Sequence, residues 1–309
     1  MTYPDVAFLG IGLMGRPMAT RLLQAGVPLR AWNRSPAKAA ALRPAGAMPH
    51  ADLGDAVRGA QVVVSMLEAG PAVADVLEAA LPALAPNTLW IDMSSTRQDE
   101  ALAFHARLAA AGCRFVDAPV SGGVGGAEDG TLAIMAGADP ADFARAEPLL
   151  RTMGTARRVG PVGSGQVAKL CNQLIVGATI NVVAEALLLA ASAGADPAAV
   201  REAIRGGFAG SRVLEVHGQR MLERNFVPGG KVSTQLKDLR NILAAAAGAG
   251  VTLPVTELVT RQFESIATTL PGADHAAGLI ALERTNPGRR LGSRPDRLPG
   301  HGSGDADPA

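Results

Sequence analysis

The stretch Gly165–Ala178, GQVAKLCNQLIVGA, carries Lys169, Asn172 and Gln173 inside one of the most apolar runs of the chain. On a helix, residues three and four apart share a face, so these three side chains project from neighbouring turns. A buried ammonium is costly to desolvate, so Lys169 either reaches water along its stem or is kept for a purpose. Apolar surroundings would bring its pKa down toward the ~7 to 8 that suits proton transfer. On this stretch alone, a structural lysine and a proton-transferring one stand level.

A second chemical signal opens the chain. In VAFLGIGLMG, Gly10, Gly12 and Gly15 have the G-x-G-x-x-G spacing after a strand-like run and at the start of a helical one. The first glycine permits a tight turn, the second lets a pyrophosphate approach the main chain, and the third lets helix pack closely on sheet. The free N–H groups of the helix start would face that pyrophosphate, so Gly10, Ile11, Gly12, Leu13, Met14 and Gly15 are candidate dinucleotide contacts. Where an NAD site usually ends its second strand in a carboxylate, this chain reads RAWNRSPAK, with Asn33, Arg34 and Ser35. A guanidinium pairs well with phosphate oxygens, so these residues predict NADP in preference to NAD, with NAD still possible. The span Asp117–Gly137, DAPVSGGVGGAEDGTLAIMAG, holds six glycines. Exposed main-chain N–H groups at Gly122 and Gly123, with the Ser121 hydroxyl, predict a nest for a substrate carboxylate.

These residues need elements to position them. Up to about Gly163, strand-length runs (VAFLG, PLRAW, VVVSM, TLWIDM, RFVDAPV, LAIMAG) alternate with helical segments, which predicts a mostly parallel, doubly wound α/β sheet over residues 1–163. Beyond it the strand signals stop. A helix of ~30 residues, ~45 Å long, runs from Ser164 to about Ala193, and further helical segments follow to residue 286. This predicts an all-helical second domain, 164–286, joined through that long helix, with Gly163 and Gly165 starting it beside the sheet where a cleft between domains would open. Residues 287–309 are rich in Pro, Gly, Asp and Arg and predict a disordered tail.

Composition excludes several classes. The 309 residues are 48% hydrophobic with a net charge of 29 − 28 = +1, which gives nucleic acid no polycationic surface to bind. Two cysteines, Cys113 and Cys171, form neither a disulfide framework nor a metal-ligand cluster, so no metal is expected and the setting is read as a reducing cytoplasm. The N-terminus lacks the basic flank and apolar core of a signal peptide. The long apolar helix approaches membrane length, but Lys169, Asn172, Gln173, Asn181 and Glu185 interrupt it, so it is read as a buried helix of a soluble protein. Cys171, two positions from Lys169, is assigned to packing on the far side of that helix, and His217 to a helix without an evident partner.

Taken in order, GIGLMGRPMATRLLQAG, DAPVSGG through GTLAIMAG, GSGQVAKLCNQ and QLKDL resemble the β-hydroxyacid dehydrogenase family over roughly residues 4–286. The resemblance implies a Rossmann-type domain followed by a helical one, dimers or tetramers held largely through the helical part, and a small anionic hydroxy acid or semialdehyde as substrate. By the same resemblance Lys169 is the catalytic lysine; Ser121, Gly122 and Gly123 form the substrate-carboxylate loop; Asn172 orients substrate, with Gln173 beside it. Leu67, Ser95 and Thr96 fall in cofactor loops, and Lys237 closes over the cofactor with Asp238 orienting the lysines. Glu68 stands where the family usually has proline, and Gly229 and Gly230 where some reductases have an aromatic residue. Imine reductases share the fold and the Asn-Arg-Ser segment, but the resemblance implies Asp or Tyr in them where this chain has Lys169, which argues against that reading. A non-catalytic dinucleotide-binding protein is the alternative outside enzymes; retention of the lysine, amide and glycine-loop set argues against it.

Overall fold

The structure is a computed structural model that describes residues 3–300. It divides within one long helix into two compact units, between Lys169 and Leu170.

The first unit is built on a nine-stranded sheet: β1 (Val6–Leu9), β2 (Leu29–Trp32), β3 (Met48–His50), β4 (Val62–Ser65), β5 (Leu89–Asp92), β6 (Arg114–Asp117), β7 (Val120–Ser121), β8 (Leu132–Gly137) and β9 (Gly154–Gly160). The order is β3-β2-β1-β4-β5-β6-β8-β7, with β9 paired to β8. From β3 to β6 every pair is parallel. The order reverses at β1/β4, the crevice position where doubly wound sheets bind their ligands. β1, β4 and β5 are buried along their whole length, as continuous apolar runs in a sheet covered on both faces must be.

Helices α1 (Gly15–Gln24), α2 (Pro36–Ala40), α3 (Leu53–Val57), α4 (Gly70–Ala80), α5 (Gln98–Ala110), α6 (Gly123–Asp129) and α7 (Pro140–Leu150) accompany the sheet. α1 buries Gly15, Met18, Ala19 and Leu22, an i, i+3, i+4, i+7 stripe. One core lies under α1 and α7 and another under α4 and α5, so the sheet is sandwiched.

Three details of this unit differ from the sequence expectation. β3 and β9 carry no strand signal: β3 is three residues with a central proline, and β9 is mostly exposed with Arg157 and Arg158 in its middle. RFVDAPV is not one strand, because β6 runs parallel to β5 whereas β7, past Pro119, runs antiparallel to β8. The glycine run 122–126 is not a bare loop either. It opens the short helix α6, and the Gly126 N–H already donates to Gly122 O at 3.2 Å, so the expected nest shrinks to the residues around Ser121–Gly123.

Helix α8 (Ser164–Ser192) begins in the first unit and continues into the second, where α9 (Pro197–Arg205), α10 (Arg212–Glu223), α11 (Val232–Gly248), α12 (Pro254–Ala267) and α13 (Gly278–Arg284) pack around a core that includes Ile180, Leu187, Leu236, Leu239 and Phe263. By length and composition α8 could cross a membrane. It is not buried all round, as the sequence suggested: Ile175, Val182 and Leu189 are 62%, 59% and 69% exposed and form a stripe with a seven-residue repeat, and Cys171 is exposed rather than packed.

The expectation of a disordered tail from residue 287 also gives way. The buried Arg224 guanidinium donates to Glu283 at 2.6 and 2.9 Å and to Asp296 at 2.7 Å. Main-chain bonds join Phe226 N to Arg297 O and Arg297 N to Arg224 O, both 2.8 Å, and Leu291 is buried. Charge pairing and backbone pairing hold this segment, which composition alone cannot register because so little of it is apolar. Residues 301–309 of the expected tail lie outside the described residues.

Candidate functional site

At the carboxyl edge of the parallel sheet the segments after β1, β2, β4 and β5 lie side by side, because each continues its neighbour's ladder: Gly10 N donates to Trp32 O, Met66 N to Leu9 O and Met93 N to Ser65 O. This brings the glycine turn 10–15, Asn33–Ser35, Leu67 and Ser95–Thr96 to one edge. Gly10 adopts φ +102°, and a Cβ there would strike Met66 O; a Cβ on Gly15 would strike Gly10 O. A Cβ on Gly12, by contrast, meets nothing within 4 Å. Two of the three glycines are therefore demanded by internal packing, and the third bares main chain toward open space. The residues present fit a dinucleotide, since what Gly12 leaves open is where a pyrophosphate would approach the helix start.

The candidate contacts are not equivalent. Asn33 accepts from Ile11 N at 2.9 Å and donates to Ser35 O at 3.2 Å, so it braces the glycine turn and leaves the exposed Arg34 as the cationic group. Among the described residues Arg34 has no hydrogen bond or ion pair. Leu13 is 69% exposed, while Met14 packs partly against the core. Leu67 gives its N–H to Ser94 Oγ at 2.9 Å. Thr96 is buried with its N–H donated to Gln166 Oε1 at 3.0 Å, whereas Ser95 is half-buried.

Lys169, half-buried on α8, donates from Nζ to Val120 O at 2.8 Å. The lysine thus sits at the start of Ser121–Gly122–Gly123, and the structure brings together the two groups that the sequence separates by some fifty positions. The helix that carries it is borrowed onto the sheet by Asp117 at the end of β6: Asp117 Oδ1 accepts from Gly163 N at 2.7 Å and Oδ2 from Gln166 N at 3.0 Å. A distant carboxylate thereby caps the first turn of α8, the position where negative charge is most favourable. Gly165 is obligatory here, as its Cβ would lie 2.5 Å from both Asp117 O and Met135 O.

In the second unit, Asn172 donates to Gln173 Oε1 at 2.9 Å and Gln173 to Asp238 Oδ2 at 2.8 Å, while Lys237 Nζ lies 3.4 Å from Asp238 Oδ1. Asn172, Gln173, Asp238 and Lys237 therefore form one polar chain between α8 and α11. His217, assigned no partner from sequence, has one: its ring meets that of His275 edge-on at 4.4 Å, beside Asp274. Asp274 acts as a cap: its oxygens accept from the Gly229, Gly230 and Ala276 amides and lie near Arg220. Burial opposes its charge, but His217, His275 and these amides outweigh burial and hold its pKa below the usual range. Burial and neighbouring His217 push His275 down to about 4.

Sequence reasoning missed a buried polar layer under the first unit's edge. Asp92 Oδ1 accepts from Ser65 Oγ at 2.8 Å and from Ser94 N at 3.2 Å, and Trp90 Nε1 donates to Ser65 Oγ at 2.9 Å. Burial pushes Asp92 up to about 6, against the hydroxyl and amide bonds it accepts, and Asp117 up to about 7, against its amide bonds. The available signal was two carboxylates ending two neighbouring apolar strands; they are paired in register.

Comparison with known proteins agrees with this architecture. Residues 5–170 match the family model for the NAD binding domain of 6-phosphogluconate dehydrogenase, and residues 163–282 the model for NAD binding of NADP-dependent 3-hydroxyisobutyrate dehydrogenase. The chain is 39% identical over 283 residues to 2-hydroxy-3-oxopropionate reductase of Escherichia coli strain K12, covering 90% of this chain and 97% of that one. It is 36% identical to 3-hydroxyisobutyrate dehydrogenase of Pseudomonas aeruginosa, covering 84% and 91%. The structure of Mycobacterium tuberculosis 3-hydroxyisobutyrate dehydrogenase with L-serine aligns with a TM-score of 0.82 at 31% identity, covering 91% and 99%. The chain belongs to the β-hydroxyacid dehydrogenase family, oxidoreductases with NAD(P)-binding domains.

Proposed function

We propose that this protein interconverts a small 3-hydroxy acid and the corresponding semialdehyde, with Lys169 as general acid–base and NADP preferred to NAD. The observation that carries the reading is the Lys169 Nζ–Val120 O bond of 2.8 Å, which holds an amine at the entrance of the Ser121–Gly123 segment. When bound, the nicotinamide would supply or take up the hydride. In reduction the Lys169 ammonium donates its proton to the carbonyl oxygen; in oxidation the neutral amine takes the hydroxyl proton. Ser121 and the main chain of Gly122 and Gly123 hold the substrate carboxylate, and Asn172, fixed by Gln173, orients the reacting end. Arg34 receives the 2′-phosphate.

A panel of glyoxylate, succinic, tartronate and methylmalonate semialdehydes with 3-hydroxyisobutyrate, read at the NADPH absorbance, tests the class. Lys169→Ala is expected to lower turnover ~10²- to 10⁴-fold with coenzyme affinity retained; near-normal turnover would make the lysine structural. Arg34→Asp is expected to cut the NADP-to-NAD efficiency ratio ~10- to 100-fold, the loss of one charge-assisted contact of ~1.5–3 kcal/mol. The exposed Ile175, Val182 and Leu189 stripe supports a homo-oligomer in which a second copy covers it, and Val182→Glu with Leu189→Glu should then shift the mass in light scattering toward the monomer. The free thiols Cys113 and Cys171 suit a cytoplasmic setting.

A further inference from the structure

Gln166 is fully buried in the first turn of α8, and all of its polar groups are engaged. Its main-chain N–H donates to Asp117 Oδ2 at 3.0 Å, its Nε2 donates to Ser94 O at 2.9 Å, and its Oε1 accepts from Thr96 N at 3.0 Å. One side chain thus clips the segment after β5 at two points, donating to one peptide group and accepting from another. Hydroxyls and neutral imidazoles also donate and accept, but a glutamine amide, or a protonated glutamic acid in its place, does both from two adjacent terminal atoms at this reach.

The clip reaches further than its two bonds. Ser94, whose carbonyl it holds, receives Leu67 N on its hydroxyl and gives its own N–H to Asp92 Oδ1. The segments after β4 and β5, both at the edge that fits a dinucleotide, are therefore tied through Gln166 to α8. Lys169 follows three residues later, ~4.5 Å along the helix and on the same side. Asp117 and Gln166 are the two fixed points of this turn, and the lysine is carried from them.

We propose that Gln166 is a positioning residue of the reaction: it sets the spacing between the coenzyme-side segments 66–67 and 94–96 and the Lys169 amine, without touching a reacting atom. The proposal rests on the reading of Lys169 given above, so its test has one arm that needs no turnover. In hydrogen–deuterium exchange, Gln166→Leu should speed exchange at least ~10-fold in peptides covering 66–67 and 94–97, because the buried Thr96 N–H and Ser94 carbonyl lose their partners, while peptides from α10 to α13 stay at wild-type rates. Unchanged protection at 94–97 would overturn the strap, whatever the enzyme's substrate.

In the second arm, Gln166→Leu should lower kcat ~10- to 100-fold, with coenzyme Kd from fluorescence titration within about threefold of wild type, and should raise the primary isotope effect with 4-deuterated NADPH as the transfer step becomes slower. Loosened segments with kcat and isotope effect both unchanged would reduce Gln166 to a structural residue and end the proposal. Gln166→Glu serves as the rescue. As a neutral acid it reproduces both bonds, and as a carboxylate it loses the donor in a layer that already holds Asp117, bonded to the main-chain N–H of residue 166, and Asp92, bonded to Ser94 N, with Lys169 the cation three residues on; its kcat relative to wild type should recover as pH falls, and protection at 94–97 should recover with it. A ratio independent of pH, with protection independent of pH as well, counts against the proposal. If the wild type turns over no hydroxy acid or semialdehyde, the functional reading fails while the exchange arm still decides the strap.

Discussion

Asp117 offers the sharpest physical test of how α8 is held. Its carboxyl is pushed from the ordinary 3.8 up to about 7, chiefly by burial, while the Gly163 and Gln166 amides pull it the other way. The folded chain therefore holds this proton more tightly than the unfolded chain does. The resulting stabilisation is complete below about pH 4 and is lost as pH rises through about 7. At ~1.4 kcal/mol per unit of pKa, the loss between pH 5 and 8 is roughly 3 kcal/mol.

Asp117→Asn removes this titration. The asparagine keeps one acceptor oxygen and sets an NH2 against the other amide, a loss of ~1–3 kcal/mol that does not vary with pH. Asp92, pushed up to about 6 in the same direction, titrates in both proteins and loses only its repulsion from Asp117, and groups elsewhere cancel in the difference. The variant is thus expected to be the weaker protein at low pH and to gain on the wild type by roughly 3 kcal/mol from pH 5 to pH 8. The assay is guanidinium unfolding at a series of pH values, followed by tryptophan fluorescence. Both tryptophans, Trp32 and Trp90, lie in the unit that contains Asp117, so the signal reports on the correct unit. A stability difference that stays flat over this range would refute both the burial and the borrowed cap.

Two other predictions follow from packing and charge. Gly12→Ala should leave the melting temperature near wild type, because its Cβ meets nothing within 4 Å, yet weaken NADP binding ~10- to 100-fold by calorimetric titration; Gly15→Ala should instead destabilise the fold by ~1–3 kcal/mol, since its Cβ collides with Gly10 O. Arg224→Met leaves Glu283 and Asp296 without their buried partner and should cost ~3–5 kcal/mol in chemical unfolding, with segment 287–300 becoming protease-sensitive.

The parts of this molecule that were legible in the sequence are those whose cause is local. Gly10 takes a positive φ in the β1–α1 turn and Gly15 faces Gly10 O five residues back, and β1, β4 and β5 are continuous apolar runs because both faces are covered. α8 announces itself by length, and Lys169 by standing out against its neighbours. What escaped was held by distance. β9 is arginine-bearing and edge-like, and segment 287–300 is fixed by the Arg224–Asp296 ion pair, by the Leu291 N–H donated to Glu283 and by main-chain bonds to Arg224 and Phe226, with Leu291 as its one fully buried apolar side chain. The Asp117–Gln166–Ser94 contacts span 46 to 72 positions and follow no periodicity. A hydrogen bond of this kind leaves a single trace in sequence: a polar residue where the local pattern demands an apolar one.

That trace has an energetic meaning in this site. Burying Asp92, Asp117 and Gln166 gains little hydrophobic stabilisation and holds two carboxyls at raised pKa, which disfavours their charged forms near neutrality. An apolar layer of the same volume would be at least as stable. Apolar contacts, however, are non-directional, and would let the first turn of α8 slide or rotate by fractions of an ångström against the sheet edge. The amide and carboxylate bonds fix that turn in both respects, since the Gly163 and Gln166 amides pin its start to β6 and the Gln166 side chain pins its rotation to the segment after β5. If Lys169 must meet a substrate proton at hydrogen-bond distance, a stability concession made in the layer that aims it is the arrangement to expect.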